Sequence, residues 1–282
     1  MYIDFMIIDA HAHMFTEKMF LGMQMPKYKV PQSMIDSVKH TLEENKKAWI
    51  EAMDKAGIEK TIFMSTVSLN EEFSSFINSS NRFIGFAKIN PESPDAIETL
   101  KKELSMGMKG VKLYATSGEF NVGSQSAYPF YEYCEKNKIP ITIHFGVTIG
   151  RTADLYTGNP IHLSRILGEF PNLTFIIAHF GAGFFREVLM LKYKRDNLYI
   201  ETSGTNNWLP HQDNFLTLKD IFKKSLEIFG PEKMIYGSDT RIFPDGYRYH
   251  ILKQQQDILD ELNVSRENKE KIMYDNINNL IR

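Results

Sequence analysis

Residues 5–13 have the sequence FMIIDAHAH, in which an apolar, β-branched run ends in two histidines. Runs of the same kind recur along the chain at intervals that leave room for a helix between them. Their nearly continuous hydrophobicity is typical of parallel strands that helices cover on the outside. The sequence therefore predicts eight strands: FMIIDAHAH (5–13), KTIFMST (60–66), RFIGFAKIN (82–90), GVKLYAT (110–116), PITIHFG (140–146), LTFIIAHFG (173–181), LYIETSG (198–204) and MIYGSDT (234–240).

Helical patterns separate these runs, and two more follow the last of them. Gly57, at the end of the first pattern, suits a left-handed helix cap. Repeated alternation of strand and helix favours a closed (β/α)8 barrel, the TIM barrel, over an open doubly wound sheet. We expect one domain over residues 1–282, because no linker or low-complexity tract divides the chain. The expected helices lie near 34–56, 70–80, 94–106, 128–137, 160–169, 183–194, 214–228, 246–262 and 265–280.

The composition favours a small-molecule substrate. The chain has 282 residues, of which 43% are hydrophobic and 24% charged, and its net charge is -2. A chain of this length can bury one substantial core. It has no basic footprint for nucleic acid and no polybasic membrane anchor, so we expect neither partner. A homodimer is one possible assembly.

Cysteine usage and the N-terminus bear on location. Cys134 is the single cysteine, which excludes an internal disulfide, and we expect a small buried hydrophobe there instead of a nucleophile. The first residues, MYIDFMIIDAHAH, lack the pattern of a signal peptide. No run reaches the roughly 18–20 apolar residues of a membrane span. A cytoplasmic, reducing location is therefore the expectation.

The longest loop-like stretch, residues 14–32, follows the first strand. Its methionines and phenylalanines predict an adaptable apolar lid over a site, since flexible thioethers fill irregular gaps. Simple packing on the rim of the barrel is the alternative.

Metal-capable or acid/base side chains stand at the ends of five predicted strands. Barrel active sites lie at these carboxyl ends, where side chains from separate strands converge. His11 and His13 are two residues apart and share a face, which makes them one pair of ligands. With His144 and Asp239 they would supply three neutral nitrogens and one carboxylate, a set that suits one divalent ion, with zinc as the first choice. The strand-end residues are His11, His13, His144, His179, Glu201 and Asp239.

Four of the polar residues allow more than one role. His179 could bind a second ion, stand free as an acid/base, or be a hydrogen-bonded core residue, and Asp239 could share proton transfer. Lys112 is expected to face the lumen, where it would pair with Glu201 or bind an anionic substrate; carboxylation and bridging of two metals is the alternative. Glu201 is expected to orient a histidine or Lys112 instead of binding the ion.

Loops after strands five, seven and eight offer substrate contacts on the same rim. Arg151 and Arg241 could each hold a substrate carboxylate through two hydrogen bonds. Trp208 and His211 could contact the substrate as well. The alternative for each is an ordinary solvated loop residue.

The ordered set of motifs resembles the amidohydrolase superfamily. More narrowly, it resembles the amidohydrolase-related branch that contains aminocarboxymuconate semialdehyde decarboxylase. The motifs span nearly the whole chain. The resemblance implies that His11, His13, His144 and Asp239 bind one zinc-like ion and that His179 polarises or deprotonates the attacking water. The motifs are IIDAHAHMF, GVKLYA, ITIHFG, FPNLTFIIAHFGAG, LYIETSG, MIYGSDT and KIMYDNINNLI.

One departure concerns the last loop. Members of the branch often have an aromatic residue and a proline directly after the strand-eight aspartate, whereas Asp239 is followed by TRIFP (240–244). A substrate assignment therefore does not transfer from the branch.

Three functions follow as expectations. The leading one is hydrolysis of an amide, lactone or ester bond in a small substrate by water that the metal activates. The second is metal-dependent decarboxylation of a small unsaturated or aromatic acid, for which the branch uses the same ligands. The third, from another class, is a non-catalytic barrel that binds a ligand.

Overall fold

The computed structural model describes residues 5–22, 31–148, 153–193, 195–212 and 216–281. Within these residues the strands form one parallel sheet in which sequence neighbours are also spatial neighbours. All eight predicted strands are present, and the eighth is divided into two short pieces. The strands are β1 (Ile7–His13), β2 (Ile58–Met64), β3 (Phe83–Lys88), β4 (Met108–Tyr114), β5 (Ile141–His144), β6 (Phe175–Ile177), β7 (Leu198–Glu201), β8 (Met234–Ile235) and β9 (Thr240–Arg241).

The divided eighth strand closes the sheet on itself. β8 pairs in parallel with β7, and β9 pairs in parallel with β1. Between the two pieces, the Ala10 amide donates to the Tyr236 carbonyl at 3.1 Å and the Asp239 amide donates to the His11 carbonyl at 2.8 Å. The predicted (β/α)8 barrel is therefore confirmed, with a break in its last strand at residues 236–239, which include Asp239.

Helices follow the strands around the outside of the barrel. The predicted single helix over 34–56 is wrong, because a new helix begins after Thr41. The Thr41 side chain accepts from the Glu44 amide, while the Glu44 side chain accepts from the Thr41 amide, and this capping box marks a start. Gly57 ends that helix at φ 68°, as predicted. The helices are α1 (Glu17–Gly22), α2 (Gln32–Asp36), α3 (Leu42–Ala56), α4 (Glu71–Asn78), α5 (Ala96–Ser105), α6 (Tyr128–Lys136), α7 (Leu163–Glu169), α8 (Phe185–Lys192), α9 (Leu218–Phe229), α10 (Ile242–Asp245), α11 (Tyr249–Glu261), α12 (Arg266–Glu270) and α13 (Asn276–Leu280), with a π-helical turn at Lys271–Asp275.

A shift of register in β1 affects the direction in which its two histidine side chains point. An inner apolar cluster of strand side chains, with Ile277 of α13, is separate from the larger core that includes the helices. Ile8 and Ala10 of β1 belong to this inner cluster. Strict alternation from them would turn His11 away, but the β1–β2 pairing shifts register between Asp9 and Ala12. A bulge of this kind re-aims side chains, and it fits the arrival of His11 and His13 at the site. The remaining members of the inner cluster are Ile62, Met64, Phe86, Ile176 and Ile235.

The segment predicted to form a lid is described in part. Phe20 of α1 packs with Ile35 of α2 and with Val38 in a small separate cluster, and Phe15 stacks on Phe20 with 4.8 Å between ring centroids. Residues 23–30 lie outside the described residues. The lid therefore stays a prediction.

In the described ranges, every helix is either too short or too polar to cross a lipid bilayer.

Candidate active site

The predicted side chains meet at the carboxyl ends of the strands. His11 and His13 lie on β1 with their ring centroids 5.2 Å apart. The His179 ring, just after β6, lies 4.7 Å from that of His11 and 4.9 Å from that of His144 at the end of β5. Asp239, between β8 and β9, has its Oδ1 3.3 Å from His13 Nε2. The barrel thus gathers side chains that are far apart in the sequence.

Hydrogen bonds to Nδ1 fix the orientation of the two β1 histidines. His13 Nδ1 lies 3.1 Å from the Met64 carbonyl oxygen, which can only accept, so the hydrogen is on Nδ1. His11 Nδ1 lies 2.9 Å from Oε2 of Glu201, and a carboxylate likewise accepts. In the tautomer that these bonds select, each ring presents the lone pair of Nε2 to the site.

These two Nε2 atoms and Asp239 Oδ1 form a set of electron-pair donors. Oδ1 lies 3.3 Å from His13 Nε2 and 3.9 Å from His11 Nε2. The His11 atom is buried and has no hydrogen-bond partner among the described residues. The three residues offer ligand atoms that all lie within 4.8 Å of one another, a spacing that an ion with bonds of about 2.0–2.2 Å can bridge. The residues present therefore fit a divalent cation.

His144 is not part of this group. Its Nε2 lies 3.2 Å from the Val147 carbonyl oxygen. Among the described residues it joins neither potential ligand group, the second of which comprises His11, His179 and Glu201. The structure thus brings three of the four predicted ligands together and leaves the fourth beside His179. A position at a strand end places a side chain, but it does not determine the rotation of the ring.

Burial keeps three histidines of the site neutral. It lowers the pKa of His11 and His144 well below the ordinary histidine value, and it lowers the pKa of His179 to about 4. Burial acts to raise the pKa of Asp239, but the hydrogen-bonding contact with His13 and the nearby rings of His179 and His11 hold it well below the ordinary value. At neutral pH the rings of His11, His144 and His179 are therefore uncharged and the Asp239 carboxylate is ionised, which are the states that bind metal.

Lys112 of β4 is buried and does not line the cavity of the site. Its side chain is 0% exposed, and its Nζ has no hydrogen-bond partner among the described residues. Burial lowers the pKa of Lys112 to about 8, while the charges of Glu201 and Asp239 oppose the shift. The expected direct pairing with Glu201 is therefore not formed, because the ammonium group lies beyond hydrogen-bonding distance of the carboxylate.

A cavity of about 480 Å³ adjoins the ligand group. Arg241 and Arg248 make part of its wall cationic, and Arg248 Nη1 lies 3.3 Å from Asp239 Oδ2. Aromatic and apolar side chains form much of the remaining wall. The cavity therefore combines a positive edge with surfaces suited to a small organic molecule. Its lining residues are His13, Phe15, Thr66, Tyr114, His144, Val147, Thr148, His179, Ala182, Gly204, Thr205, Asn206, Asn207, Trp208, His211, Asp239, Arg241 and Arg248.

The predicted rim residues take different positions. Trp208 and His211 both line the cavity, and the Trp208 indole N–H donates to Asn206 Oδ1 at 3.2 Å. Arg241 lines it too, with Nε 2.5 Å from Asp245 Oδ2. Arg151 lies outside the described residues.

Four non-glycine residues of the cavity wall have left-handed backbone conformations. The φ angles of His179, Ala182, Asn206 and Asp239 are 56°, 42°, 55° and 58°. Such conformations cost non-glycine residues of the order of 1–3 kcal/mol and are concentrated at functional sites, although Asn tolerates them best. Backbone strain thus occurs along the cavity wall and includes two of the residues that define the site, His179 and Asp239.

The sequence model of a protein family described as amidohydrolase matches residues 8–282. The chain belongs to the amidohydrolase family. The match begins within β1 and extends past α13, so it includes every strand that contributes to the site. The predicted resemblance is confirmed, and the protein is an enzyme of this family.

Solved structures share the barrel of this amidohydrolase at low sequence identity. A probable 2-pyrone-4,6-dicarboxylic acid hydrolase from Acinetobacter baumannii is 16% identical, with 98% of both chains covered and a TM-score of 0.67. The 5-carboxyvanillate decarboxylase LigW from Sphingomonas paucimobilis is 13% identical, with 100% of this chain and 99% of that chain covered and a TM-score of 0.71. A zinc-bound amidohydrolase from Burkholderia multivorans is 12% identical, with 98% and 99% covered and a TM-score of 0.67. At these identities the likeness shows the fold alone.

The amidohydrolase also matches protein fluG of Emericella nidulans. The two are 22% identical over 123 residues, which is 44% of this chain and 14% of the relative. The match thus spans about one seventh of the length of that protein.

Sequence reasoning missed two polar contacts of this amidohydrolase site. Arg248, which precedes α11, reaches Asp239 across nine residues, and no spacing rule signals such a contact. Asp9 is buried and accepts hydrogen bonds from the Ser238 amide, the Ser238 hydroxyl and the Tyr247 hydroxyl. Burial raises the pKa of Asp9 to about 6. Its place two residues before His11 could have indicated a further buried polar residue in β1. Its bonds to Ser238 connect β1 to the break that contains Asp239.

Proposed function

We propose that this protein is a metal-dependent hydrolase that cleaves an amide, lactone or ester bond in a small substrate bearing a carboxylate. The observation that carries the proposal is the convergence of His11 Nε2, His13 Nε2 and Asp239 Oδ1 within 4.8 Å beside the cavity. The buried His11 Nε2, which has no hydrogen-bond partner in the described part of the chain, supports it most directly. In a site without a cation, that atom would have lost its hydrogen bond to water without compensation.

His11, His13 and Asp239 would hold one divalent ion, for which zinc is our first choice because of the nitrogen-rich ligands. His144 is the proposed fourth ligand, since its ring stands beside His179 at the same strand ends. A divalent ion bound there supplies Lewis acidity, which lowers the pKa of water and polarises a carbonyl group. Glu201 keeps the His11 ring in its ligand orientation through the bond to Nδ1.

His179 is the proposed proton acceptor for the attacking water. Its Nδ1 is engaged by Ser203, so the opposite edge of the ring, with Nε2, is available to the cavity that His179 lines. The ring is neutral at pH 7 because burial lowers its pKa to about 4. Asp239 Oδ2 lies 3.3 Å from Arg248 Nη1, while its Oδ1 faces the two histidines of β1.

The arginines and aromatic residues of the cavity wall indicate the class of substrate. Arg248 and Arg241 line the cavity, and each presents a planar fork that matches a carboxylate. Phe15, Tyr114 and Trp208 supply flat apolar surface on the same cavity. A small, partly unsaturated acid with a hydrolysable bond would contact both the arginines and the aromatic side chains.

The test is an assay of zinc-loaded protein against a panel of lactones, amides and esters, each as the free acid and as its neutral carboxamide. We expect turnover within the acid half of the panel and formation of one hydrolytic product. If fully metal-loaded protein hydrolyses no compound of either half, the proposal is wrong.

Decarboxylation is the second candidate, and the position of Arg248 favours it. A guanidinium 3.3 Å from Asp239 can place a substrate carboxylate directly beside the ligand group. The shared fold with 5-carboxyvanillate decarboxylase makes the reaction class worth an explicit assay. Release of CO₂ from unsaturated or aromatic acids, without a hydrolytic product, would select this candidate over hydrolysis.

The variant Arg248→Met tests carboxylate recognition. We expect it to lower kcat/KM for an acid substrate about 10-fold or more relative to its carboxamide, since a hydrogen bond to a charged group contributes about 1.5–3 kcal/mol. Comparing the acid with the carboxamide in the same variant cancels any effect through Asp239. Arg186→Met is the matched control, because Arg186 is exposed on α8 and pairs with Glu187. An unchanged acid-to-carboxamide ratio would remove Arg248 from substrate binding.

A further inference from the structure

Ser203 connects the two histidines of the site that have different proposed roles. It follows β7 and is fully buried. Its hydroxyl oxygen lies 2.7 Å from His179 Nδ1 and 2.9 Å from Glu201 Oε2. The same Oε2 atom accepts from His11 Nδ1 at 2.9 Å. A single chain of hydrogen bonds therefore runs from His11 through Glu201 and Ser203 to His179.

The hydrogens in this chain can be assigned from donor and acceptor capacity. Glu201 accepts at Oε1 from the Ser203 amide at 2.6 Å and at Oε2 from His11, so it acts as an acceptor throughout. The Ser203 hydroxyl has one hydrogen, and it donates that hydrogen to Glu201 Oε2. Toward His179 the hydroxyl oxygen is left as an acceptor, which places a hydrogen on His179 Nδ1.

A second contact leads to the same assignment independently. His179 Nδ1 also lies 3.3 Å from the Ser203 carbonyl oxygen, which can only accept. Both oxygens of one residue thus face the same nitrogen as acceptors. In the neutral ring the lone pair is then on Nε2, at the edge that is free for the cavity.

We infer that Ser203 is a positioning residue that keeps His179 in the tautomer with hydrogen on Nδ1, so that Nε2 is available as the proton acceptor. Through Glu201 the same hydroxyl is tied to the ring of His11. The Glu201 carboxylate thereby holds the ring of the proposed ligand, His11, directly and the ring of the proposed base, His179, through Ser203. The two rings keep a fixed orientation relative to each other. The tautomer assignment stands on the contacts alone, and its consequence for catalysis rests on the proposed function.

The groups around Ser203 are closely packed, which restricts the position of its hydroxyl group relative to His179. A Cβ atom on Gly237 would come within 3.0 Å of Ser203 Cβ and would also strike the Glu201 carboxylate. A Cβ atom on Gly204 would come within 3.2 Å of His179 Nδ1. Two glycines therefore make room for the contact between hydroxyl and imidazole, and close packing fixes its geometry.

The experiment is ¹⁵N NMR of histidine side chains in zinc-loaded wild type and Ser203→Ala, with the His179 signals assigned by their loss in His179→Asn. In wild type we expect a neutral His179 with hydrogen on Nδ1. In Ser203→Ala we expect that signature to shift toward a mixture of tautomers, kcat to fall about 10-fold or more, and zinc content and KM to change little. Ser225→Ala is the matched control, because Ser225 is fully buried on α9 and its hydroxyl has no partner among the described residues.

The outcomes separate this inference from the proposed function. A wild-type His179 with hydrogen on Nε2 would overturn the inference without any variant, even if Ser203→Ala does not fold. An unchanged His179 spectrum in a folded Ser203→Ala protein would also overturn it. If the tautomer behaves as expected while wild type hydrolyses no panel compound, the positioning by Ser203 stands and the proposed function fails.

Discussion

The variant His13→Ala is expected to contain no tightly bound divalent ion and to lose activity about a thousandfold or more. The substitution removes the Nε2 atom that lies 3.3 Å from Asp239 Oδ1, so that His11 and Asp239 alone remain of the converging group. Metal chemistry contributes several kcal/mol of transition-state stabilisation, and each 1.36 kcal/mol corresponds to a factor of about ten. Elemental analysis of purified protein and initial rates on a panel substrate measure the two effects together.

Two further substitutions give this experiment its controls. His250→Ala removes an exposed histidine of α11 and should leave metal content and rate unchanged. His144→Ala should keep part of the bound metal, because the structure places that ring outside the converging group. A His13→Ala protein with full metal content would contradict the proposed site. A wild-type content near two ions per chain, instead of one, would point to the alternative in which a carboxylated Lys112 bridges two metals.

The variant His179→Asn should keep its metal and lose about 10²- to 10⁴-fold in kcat, the usual range for a missing acid/base group. His179 has a φ angle of 56°, and asparagine tolerates the left-handed region better than most residues. Backbone strain therefore does not change much, and the lost imidazole is the main perturbation. Stopped or continuous assays at saturating substrate give kcat, and elemental analysis gives the metal content.

A matched substitution, His250→Asn, makes the same chemical change on the exposed face of α11. This substitution should change neither kcat nor the metal content. If His179→Asn loses the ion along with activity, His179 acts as a ligand with His11 and Glu201, the second group that the structure brings together. If it keeps both the ion and the rate, another group accepts the proton.

Most of the barrel could be predicted from local sequence pattern. Each strand is a short apolar run and each helix has its own periodicity, so neighbouring residues determine these elements. The strand-end histidines were visible for the same reason, since carboxyl ends of parallel strands meet on one side of a barrel. The start of α3 after Thr41 could also have been predicted, because the Thr41–Glu44 capping box is a local signal. Local pattern gives no signal for the split between β8 and β9 or for the shift of register in β1.

The pattern of apolar runs and strand-end polar residues was enough to predict the (β/α)8 barrel, the family resemblance, and the end of the barrel at which His11, His13, His179 and Asp239 meet. Which of their atoms face one another depends on contacts that form only in the folded chain. The bond between His11 and Glu201 joins residues 190 positions apart, and the turn of His144 toward Val147 depends on packing around that loop. The contacts of Arg248, Asp9 and Ser203 could likewise be recognised only from the structure. Such contacts result from close packing and from the need to pair buried polar atoms. Neither requirement produces a periodic pattern in the sequence.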